Sequence, residues 1–588
     1  MISLGKYYNN RLIAFIFHFL VSGCFLGITY FQFGSFYEEY QGFWNAFFSG
    51  ALTEGAEFDN FYFLGYIGIS HIYTYLQMQF PNIQWFSVFH FLQLNISFAI
   101  FFSILNYLFE KQKLSRYWFY SILPLIFFGF FLDNIILFVY ARASYLLCGA
   151  SYLAIIILFK DIGTVKKQLG VFVPLILLFL WGDLTRVESA MAVSLLLFCF
   201  AVVWHQNLQK ALVLSLPVLF IVGFSLAGIF LDIHYSSQFH KEVEPDIETQ
   251  FTVRGNVIPI ESMTSYADSI KYEAAMRMFW ADPDIITIPY LRSLINEPES
   301  KYFDSKQWQR VGVEIRTGIK NFKYPLIVLL LLSAAAIVLA WREAQFGQMA
   351  LIVLYFLGFV ILLVVNSYFV KMRDRTISPF ILVYSMSMLF LIFDKIKQHG
   401  IIFYLSVFVL FVWSILNVGL SQRKSEFLTG VRQTNQLIFE KVEDFCAGQT
   451  LMPNPTSMGN ITLAFAPFQR FDFDAFHRLY FYEASIQSII PPYYDYLNQA
   501  CDCDVWDFSA FYRYVLNPDY PTPVYTLSNE DRMIMAMEYL KNFHQLDIEY
   551  KKVEEVDLNE NMAMDYYSMR KLYLYQISLK NYAAGSGD

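Results

Sequence analysis

The chain has 588 residues and a mass of 68.8 kDa, and 56% of its residues are hydrophobic, 19% aromatic and only 16% charged. A soluble domain typically has about 25% charged residues, so this composition excludes a disordered chain and a single soluble globule. The formal net charge of −8 also argues against nucleic acid as a partner.

The apolar residues fall in blocks of about 20, the length at which a helix crosses a bilayer. The first block, 11–31, has no small-residue cleavage site, so we expect a retained helix rather than a signal peptide. Further spans are predicted at 85–109, 118–139, 143–159, 169–184, 188–204, 211–231, 324–341, 349–370, 377–394 and 400–420. The segment 61–80, which contains His71, is predicted as an interfacial or re-entrant helix. The fold class is therefore a polytopic α-helical membrane protein with about eleven spans.

Loop charge sets the predicted orientation of these spans. If the N-terminus lies inside, the inside loops are nearly all basic, as the positive-inside rule requires: 110–116, 160–167, 205–210, 341–347 and 394–399. The outside then contains 32–84, short turns near Arg142 and Asp183, 232–323, 371–375 and everything after 420. The turn 371–375 is basic and opposes the rule.

The predicted organisation is a transmembrane domain, 1–420, with outer loops 32–84 and 232–323, followed by a soluble outer domain, 421–588. Residues 421–588 carry 23 Asp and Glu against 14 Lys and Arg. We expect this domain to be α+β, because helical patterns at 425–446 and 529–544 flank strand-like pieces such as 461–468. A helical pattern also occupies 265–280 in the second outer loop. Cys446 could bridge to Cys501 or Cys503, which would leave one thiol.

Acidic residues are concentrated in the outer loop 32–84, among many aromatic residues. They are Glu38, Glu39, Glu54, Glu57 and Asp59. A carboxylate beside an apolar surface is costly unless it is paired or functional, and low local polarity raises the pKa of such a group toward that of a general base. An aromatic interface belt with solvated acids is an equally good interpretation of the residues alone.

Charged residues also occupy predicted outer helix ends. These residues are Arg142 in one turn, Asp183, Arg186 and Glu188 in a second, and Arg373 and Arg375 in a third. Arginine binds phosphate or pyrophosphate through paired hydrogen bonds. A single arginine of this kind is better explained by snorkelling to lipid headgroups. Three such turns on the face that carries the acidic loop favour a binding site.

These motifs resemble those of GT-C glycosyltransferases, multi-spanning enzymes that use polyprenyl-phosphate-linked sugars. In that class an acidic pair opens the loop after the first helix, and here YEEY (37–40) stands in its place, with Glu where Asp is commoner. The stretch SGALTEGAEFDNFYFLGYIGISHIYTYLQMQFPNIQW (49–85) is similar to a bacterial group with an acidic pair, Ser-Gly and a Gly-rich span. TRVES and RTISP resemble Arg-bearing turns of such chains. The resemblance covers about 1–395.

The resemblance implies that the protein transfers a sugar, with inversion, from a polyprenyl-phosphate donor to an acceptor glycan, lipid or protein. Glu39 or Glu38 would act as general base, and Asp59 would orient the acceptor or share a metal. The remaining implied site residues are Arg186, Arg373, Arg375, Arg142, Asp183 and Glu188 near the phosphate, and Glu57 and His71 in the acceptor loop. No cofactor is indicated with certainty, and a divalent cation, used by some relatives, has no clear ligand spacing here. The expected location is a bacterial inner membrane with the C-terminal domain in the periplasm.

Other classes of membrane protein compete with this interpretation. A lipid transporter would need charges within its spans, and Asp133 is one that lies deep enough. A sugar-chain polymerase or ligase would share the architecture. A non-catalytic membrane subunit of a surface assembly would use the outer domain and the aromatic loops equally well.

Overall fold

A computed structural model gives the fold of the chain. It describes residues 2–37, 72, 75–77, 79–80, 82–159, 165–235, 259–276, 285–294, 305–369, 374–395, 400–452, 464–469, 478–479, 498–499, 508–557 and 571–580. The chain divides into two compact units. Unit 1 comprises Met1–Phe36, Ser87–Gly228 and Tyr302–Glu426, and unit 2 comprises Tyr37–Phe86, Ile229–Lys301 and Phe427–Asp588.

Unit 1 is built from long apolar helices. Its helices and short connecting elements are α1 (Ile2–Phe33), β1 (Phe36–Tyr37), α2 (Trp85–Lys111), α3 (Arg116–Ile126), a π-helical turn (Phe127–Phe131), α4 (Leu132–Ile136), β2 (Leu137–Phe138), α5 (Tyr140–Phe159), α6 (Val165–Thr185), α7 (Val187–His205) and α8 (Leu208–Tyr235). They continue, after residue 301, with α11 (Ser305–Arg342), α12 (Phe346–Phe369), α13 (Asp374–Lys395) and α14 (Gly400–Cys446), the last of which extends into unit 2. Two helices of unit 2 precede these in the chain, α9 (Tyr266–Met276) and α10 (Ile288–Leu294).

The described residues contain ten helices that are long and apolar enough to cross a membrane, and the shorter apolar helix Gly170–Thr185 raises the number to eleven. This confirms the prediction of a polytopic helical membrane protein. The apolar stretches within α5 and α13 are 89% buried, so these two helices form the centre of the bundle. The two patterns predicted as a separate span, 400–420, and helix, 425–446, belong to the single helix α14.

Polar contacts gather at the two ends of the helices. At one end, Lys111 lies 3.1 Å from Asp394 and Lys395 lies 2.6 Å from Glu343. These residues flank loops predicted to lie on the same, inner side. At the other end, the Ser35 hydroxyl donates to the Ile135 carbonyl oxygen at 2.7 Å. Helix ends that the alternating topology assigns to one face therefore meet in the structure.

A π-helical turn interrupts the third predicted span, 118–139. Ser115 caps α3, accepting a hydrogen bond from the Tyr117 amide, and Pro124 lies inside the helix without an amide hydrogen to donate. The π-helical turn FFGFF follows three residues later, and the chain then returns to α-helix at Leu132. Such turns are rare and occur mostly at functional sites. This one separates the apolar part of the span from Asp133.

Unit 2 contains a mixed sheet with helices. Its remaining elements are β3 (Thr450–Leu451), β4 (Arg478–Leu479), α15 (Phe508–Val515), β5 (Val524–Ser528), α16 (Glu530–His544), β6 (Ile548–Asp557) and β7 (Lys571–Leu579). The strand order is β4-β3-β5-β7-β6, with β3 parallel to both neighbours and the other pairs antiparallel. Asn529 caps α16 by accepting from the Arg532 amide at 2.9 Å.

The predicted helices at 265–280 and 529–544 appear as α9 and α16. The predicted strand at 461–468 is wrong for 464–468, because Ala464–Phe468 forms bends and turns, and 461–463 lie outside the described residues. The Gln469 side chain accepts from the Ala466 amide at 3.2 Å, which closes this turn locally and removes a group that a sheet ladder would need.

Candidate functional site

A cavity of about 420 Å³ opens among the helices of unit 1. The π-helical turn, α4, α11, α13 and α14 supply its walls. The lining residues are Gly129, Phe130, Asp133, Asn321, Phe322, Tyr324, Pro325, Ser378, Ile381, Leu382, Trp413, Asn417, Leu420, Ser421 and Lys424. Most are apolar or aromatic and a smaller number are polar, a composition typical of small-molecule sites.

Helix α14 contributes one face to this cavity because of its spacing. Trp413, Asn417, Ser421 and Lys424 follow one another at intervals of four, four and three residues, so they lie on one side of an α-helix. The sequence changes along this stripe from an aromatic ring to an amide, a hydroxyl and an ammonium group. Along this stripe the cavity wall is therefore aromatic at Trp413 and cationic at Lys424.

The carboxylate of Asp133 organises the polar end of the cavity. Its Oδ1 accepts a hydrogen bond from Lys424 Nζ at 2.6 Å, and its Oδ2 accepts from Arg142 Nη1 at 2.8 Å. The Ser378 hydroxyl donates to the same Oδ2 at 3.3 Å. Both oxygens are thus engaged, which suits Asp133 to position cations rather than to remove protons. Among the described residues, the cluster thus brings the cations Arg142 and Lys424 to the single carboxylate of Asp133.

Arg142 and Lys424 differ in their exposure. The Arg142 side chain is 0% exposed and also donates from Nη1 to the Asp133 backbone oxygen at 2.9 Å. The Lys424 side chain is 31% exposed and lines the cavity. Arg142 was predicted to lie near the phosphate. In the structure it is not among the residues that line the cavity, and it contacts Asp133, the acid that binds Lys424. Lys424 is the cation that a ligand in the cavity can reach.

The turn around Arg186 lies close to the same end of α5. Arg186 precedes α7, donates from Nη1 to the Tyr140 hydroxyl at 3.1 Å and lies 3.5 Å from the Glu188 carboxylate. Tyr140 begins α5, two residues before Arg142. Asp183 is fully buried and accepts a hydrogen bond from Ser225. The structure thus brings Arg186 and Glu188 together near α5 and leaves Asp183 within the helix packing.

Several predicted site residues lie outside the described part of the chain. They are Glu38, Glu39, Glu57, Asp59, His71 and Arg373, and with them Cys501 and Cys503. Arg375 is the second residue of α13, and the structure describes its backbone but not its side chain. Position 375 is three residues before Ser378, which lines the cavity. The roles assigned to all these residues stay predictions. Cys446 is a buried free thiol.

Sequence reasoning missed Lys424, Ser378 and the aromatic wall of α14. A signal for Lys424 was present, because an acid within a predicted span, such as Asp133, requires a nearby cation. Lys424 lies four residues, about one helical turn, after the last predicted span, 400–420. It is 291 residues from Asp133 in sequence, so no local pattern pairs the two residues. Ser378 belongs to RTISP, the motif that drew attention to Arg375.

Metal binding has a limited basis in the described residues. Within them no group of three or more His, Cys, Asp and Glu side chains could hold a metal ion. Asp133 is the acid among the cavity-lining residues, and its oxygens are bonded to cations and a hydroxyl.

The cavity, its cationic end and its apolar wall are the features that any functional assignment must explain. Comparisons with protein-family models, with curated proteins and with solved structures found no match.

Proposed function

We propose that the protein is a glycosyltransferase of the GT-C type, which moves a sugar from a polyprenyl-phosphate donor to an acceptor on the outer face of a bacterial inner membrane. The observation that carries this proposal is the cavity of about 420 Å³ in which an apolar wall leads to Lys424. Its size lies within the range of about 300–1,000 Å³ found for ligand sites.

The chemistry of the donor matches the order of groups along the cavity. A polyprenyl-phosphate sugar has an apolar chain, a phosphate with one negative charge and a polar sugar. Phe130, Trp413 and Leu420 offer contact area to the first isoprene units, and Lys424 offers charge to the phosphate. Asn417 and Ser421, on the same face of α14, add an amide and a hydroxyl.

The transfer step is the one that the resemblance to GT-C enzymes implies, with Lys424 added from the cavity wall. Glu39, or Glu38 in its place, takes the proton from an acceptor hydroxyl. The resulting oxygen attacks the anomeric carbon, the bond from that carbon to the phosphate oxygen breaks, and its electron pair leaves with the polyprenyl phosphate. Lys424 offsets the charge that develops on this leaving group, with Arg186, Arg373 and Arg375 as further cations. Asp59 orients the acceptor.

Asp133 acts as a positioning residue in this scheme. It holds Lys424 at 2.6 Å, and the buried Arg142 fixes the orientation of its carboxylate. Without this acid, two cations within one cluster would repel each other, and the long Lys424 side chain would sample more rotamers. A fixed cation costs little reorganisation when the leaving group becomes charged.

A lipid transporter is the second candidate, because the Asp133–Arg142 pair is an ionised pair inside a membrane-spanning region. Such residues often mark substrate pathways. A transporter would move polyprenyl-phosphate sugars across the bilayer and leave the sugar–phosphate bond intact. Release of free polyprenyl phosphate therefore separates the two functions.

The test uses the purified full-length chain in detergent and a panel of polyprenyl-phosphate monosaccharides, each labelled in the sugar. Membranes from cells that lack this protein supply the acceptor. We expect one donor to yield polyprenyl phosphate and labelled product. Glu39→Gln should lower the rate by about 10²–10⁴, the usual contribution of a general base.

Two further variants complete the experiment. Glu38→Gln and Asp59→Asn identify which acid is the base if Glu39→Gln keeps its rate. If the wild-type chain cleaves no donor, glycosyl transfer is excluded. If it cleaves a donor and all three variants match it, the loop 32–84 is not the catalytic centre.

A further inference from the structure

Two basic segments lie on the side of the membrane where the orientation rule disfavours them. Residues 305–323 contain Lys306, Arg310, Arg316, Lys320 and Lys323 against the single acid Glu314, and 371–375 contains three basic residues against one acid. Under the predicted topology both segments are outside, where basic residues work against correct insertion. Basic residues that oppose correct membrane insertion suggest a function that requires them at this location.

Both segments lead directly into walls of the same cavity. The first segment is the N-terminal part of α11; its Asn321 and Phe322, and Tyr324 and Pro325 just after it, line the cavity. The second precedes α13, whose Ser378 lines it a few residues later. Both basic segments are therefore neighbours in sequence of residues that line the cavity.

The geometry of α11 divides it into two parts. Its 38 residues correspond to about 57 Å at 1.5 Å per residue, nearly twice the roughly 30 Å of a bilayer core. Phe322 breaks the helix with φ −106° and ψ 17°, three residues before Pro325. The residues after the break are apolar enough to span, so the basic part, 305–322, lies at or beyond the surface of the membrane.

The exposed side of this basic part combines cations with apolar groups. Arg316 and Lys320 are exposed and four residues apart, so they share a face of the helix. Val313 is 63% and Ile319 55% exposed, and both lie beside that face. Val311 is buried on the opposite side. Cations flanked by apolar side chains are typical of helices that lie in the headgroup region of a membrane.

Lys323 connects this face with the cavity. It is exposed, and its Nζ lies 4.7 Å from the ring centroid of Tyr324, a cavity-lining residue. The row of cations formed by Arg316, Lys320 and Lys323 thus ends beside the rim of the cavity. A lipid phosphate held at this row would be next to the apolar wall that its chain needs.

We propose that residues 305–323 form a capture surface for anionic lipids of the outer leaflet, with Arg316, Lys320 and Lys323 as ligands of the lipid phosphate and Tyr324 at the point where the lipid moves into the cavity. The proposal rests on the proposed function only in that the sugar donor is one such lipid. Capture raises the local concentration of donor beside the cavity. The attraction is electrostatic, so it weakens as salt is added.

The experiment measures lipid selectivity directly. The full-length protein is reconstituted in vesicles of phosphatidylcholine and phosphatidylglycerol, and spin-labelled analogues of each lipid report the protein-bound fraction. We expect the wild-type chain to prefer phosphatidylglycerol. The triple variant Arg316→Gln, Lys320→Gln and Lys323→Gln should lower that preference by about fivefold or more, since one cation near an anionic surface contributes about that factor.

Two control variants, each with three substitutions, show whether a loss of lipid preference comes from the charges on α11. Arg316→Lys, Lys320→Arg and Lys323→Arg keep the charges and should keep the preference. Lys541→Gln, Lys551→Gln and Lys580→Gln remove three charges from unit 2 and should leave it unchanged. A triple Gln variant with wild-type preference, or an equal loss in the unit 2 variant, would overturn the capture surface.

The same preparations separate this proposal from the proposed function. Glu39→Gln should lose sugar transfer and keep its preference for phosphatidylglycerol. A chain that prefers phosphatidylglycerol and cleaves no donor would retain the capture surface and remove glycosyl transfer. A chain that transfers sugar without lipid preference would do the opposite.

Discussion

Two lysines near opposite ends of α13 are both paired with a carboxylate, yet their surroundings differ. Lys395 lies 2.6 Å from Glu343 and donates to Gln345 at 2.7 Å and to Gln348, and its side chain is 12% exposed. Lys424 lies 2.6 Å from Asp133, borders the cavity and is 31% exposed. The first cation is enclosed by three acceptors, whereas the second lies at the wall of a cavity and is more exposed. The first pair therefore belongs to the packing of the helices, and the second is the one that the proposed function uses.

The largest difference should appear when the acids are removed. Asp133→Ala leaves the fully buried Arg142 without its carboxylate, and we expect it to lower the free energy of unfolding by about 3–5 kcal/mol. Glu343→Ala leaves Lys395 with two amide acceptors and should cost about 1–2 kcal/mol. Denaturant titration in detergent measures both. Equal losses would contradict the view that the fully buried Arg142 makes the Asp133 cluster the more costly one to break.

Removing the lysines should affect function at one end only. Lys424→Gln should weaken binding of polyprenyl phosphate about tenfold or more, because a hydrogen bond to a charged group contributes about 1.5–3 kcal/mol. Lys395→Gln removes the same charge from the enclosed pair and should leave the affinity unchanged. A labelled polyprenyl phosphate titrated into purified protein gives both constants. Comparable weakening in both variants would mean that overall packing, rather than the cavity, governs binding.

Gly129, in the cavity wall, tests whether the packing around Trp413 matters for donor binding. A Cβ added at Gly129 would lie 3.0 Å from Trp413 Cδ1, so Gly129→Ala must displace the indole. We expect a loss of about 1–3 kcal/mol in the free energy of unfolding and weaker donor binding. Gly358→Ala, in α12, meets only Cys199 Sγ at 3.8 Å and should be neutral or stabilising by up to about 1 kcal/mol. Unchanged donor binding in Gly129→Ala would show that the Trp413 wall is not used.

The smallest effect concerns the hydroxyl that completes the Asp133 cluster. Ser378→Ala removes a hydrogen bond of 3.3 Å to Oδ2 and should cost about 0.5–1.5 kcal/mol, with a small loss of donor affinity. Ser333→Ala removes a buried bond of 3.1 Å to Tyr384, away from the cavity, and should cost a similar amount without changing affinity. Thermal unfolding and the same titration test the pair.

The spans were predictable from sequence because length and apolar composition act locally. The eleven predicted spans correspond to the apolar helices of the structure, although the third includes a π-helical turn. The turn begins three residues after Pro124, and hydropathy does not register such a change in the hydrogen-bond pattern. The continuous helix α14 was divided into two patterns, because its polar residues after Leu420 end the apolar run without ending the helix.

The site was less predictable, because it depends on pairs that are distant in the chain. Asp133 was singled out by its depth in a span, and Arg142 by its place at a helix end, but their pairing with Lys424 arises only when α4, α5 and α14 pack together. The strand prediction at 461–468 was wrong at 464–468 for a related reason. A side-chain contact from Gln469 decides the local backbone there, against an apolar composition that favours a strand.

The π-helical turn Phe127–Phe131 makes the length of the third span a property of the site. A π turn is equivalent to a single-residue insertion in an α-helix. Because the wide turn absorbs the extra residue, deleting one residue there would return the span to regular α-helix and leave the Asp133 carboxylate facing Arg142 and Lys424. A deletion in the regular helix α3 that kept the turn would rotate everything after it by about 100° around the helix axis. Hydropathy would hardly register either deletion, whereas the charge cluster would tolerate only the first.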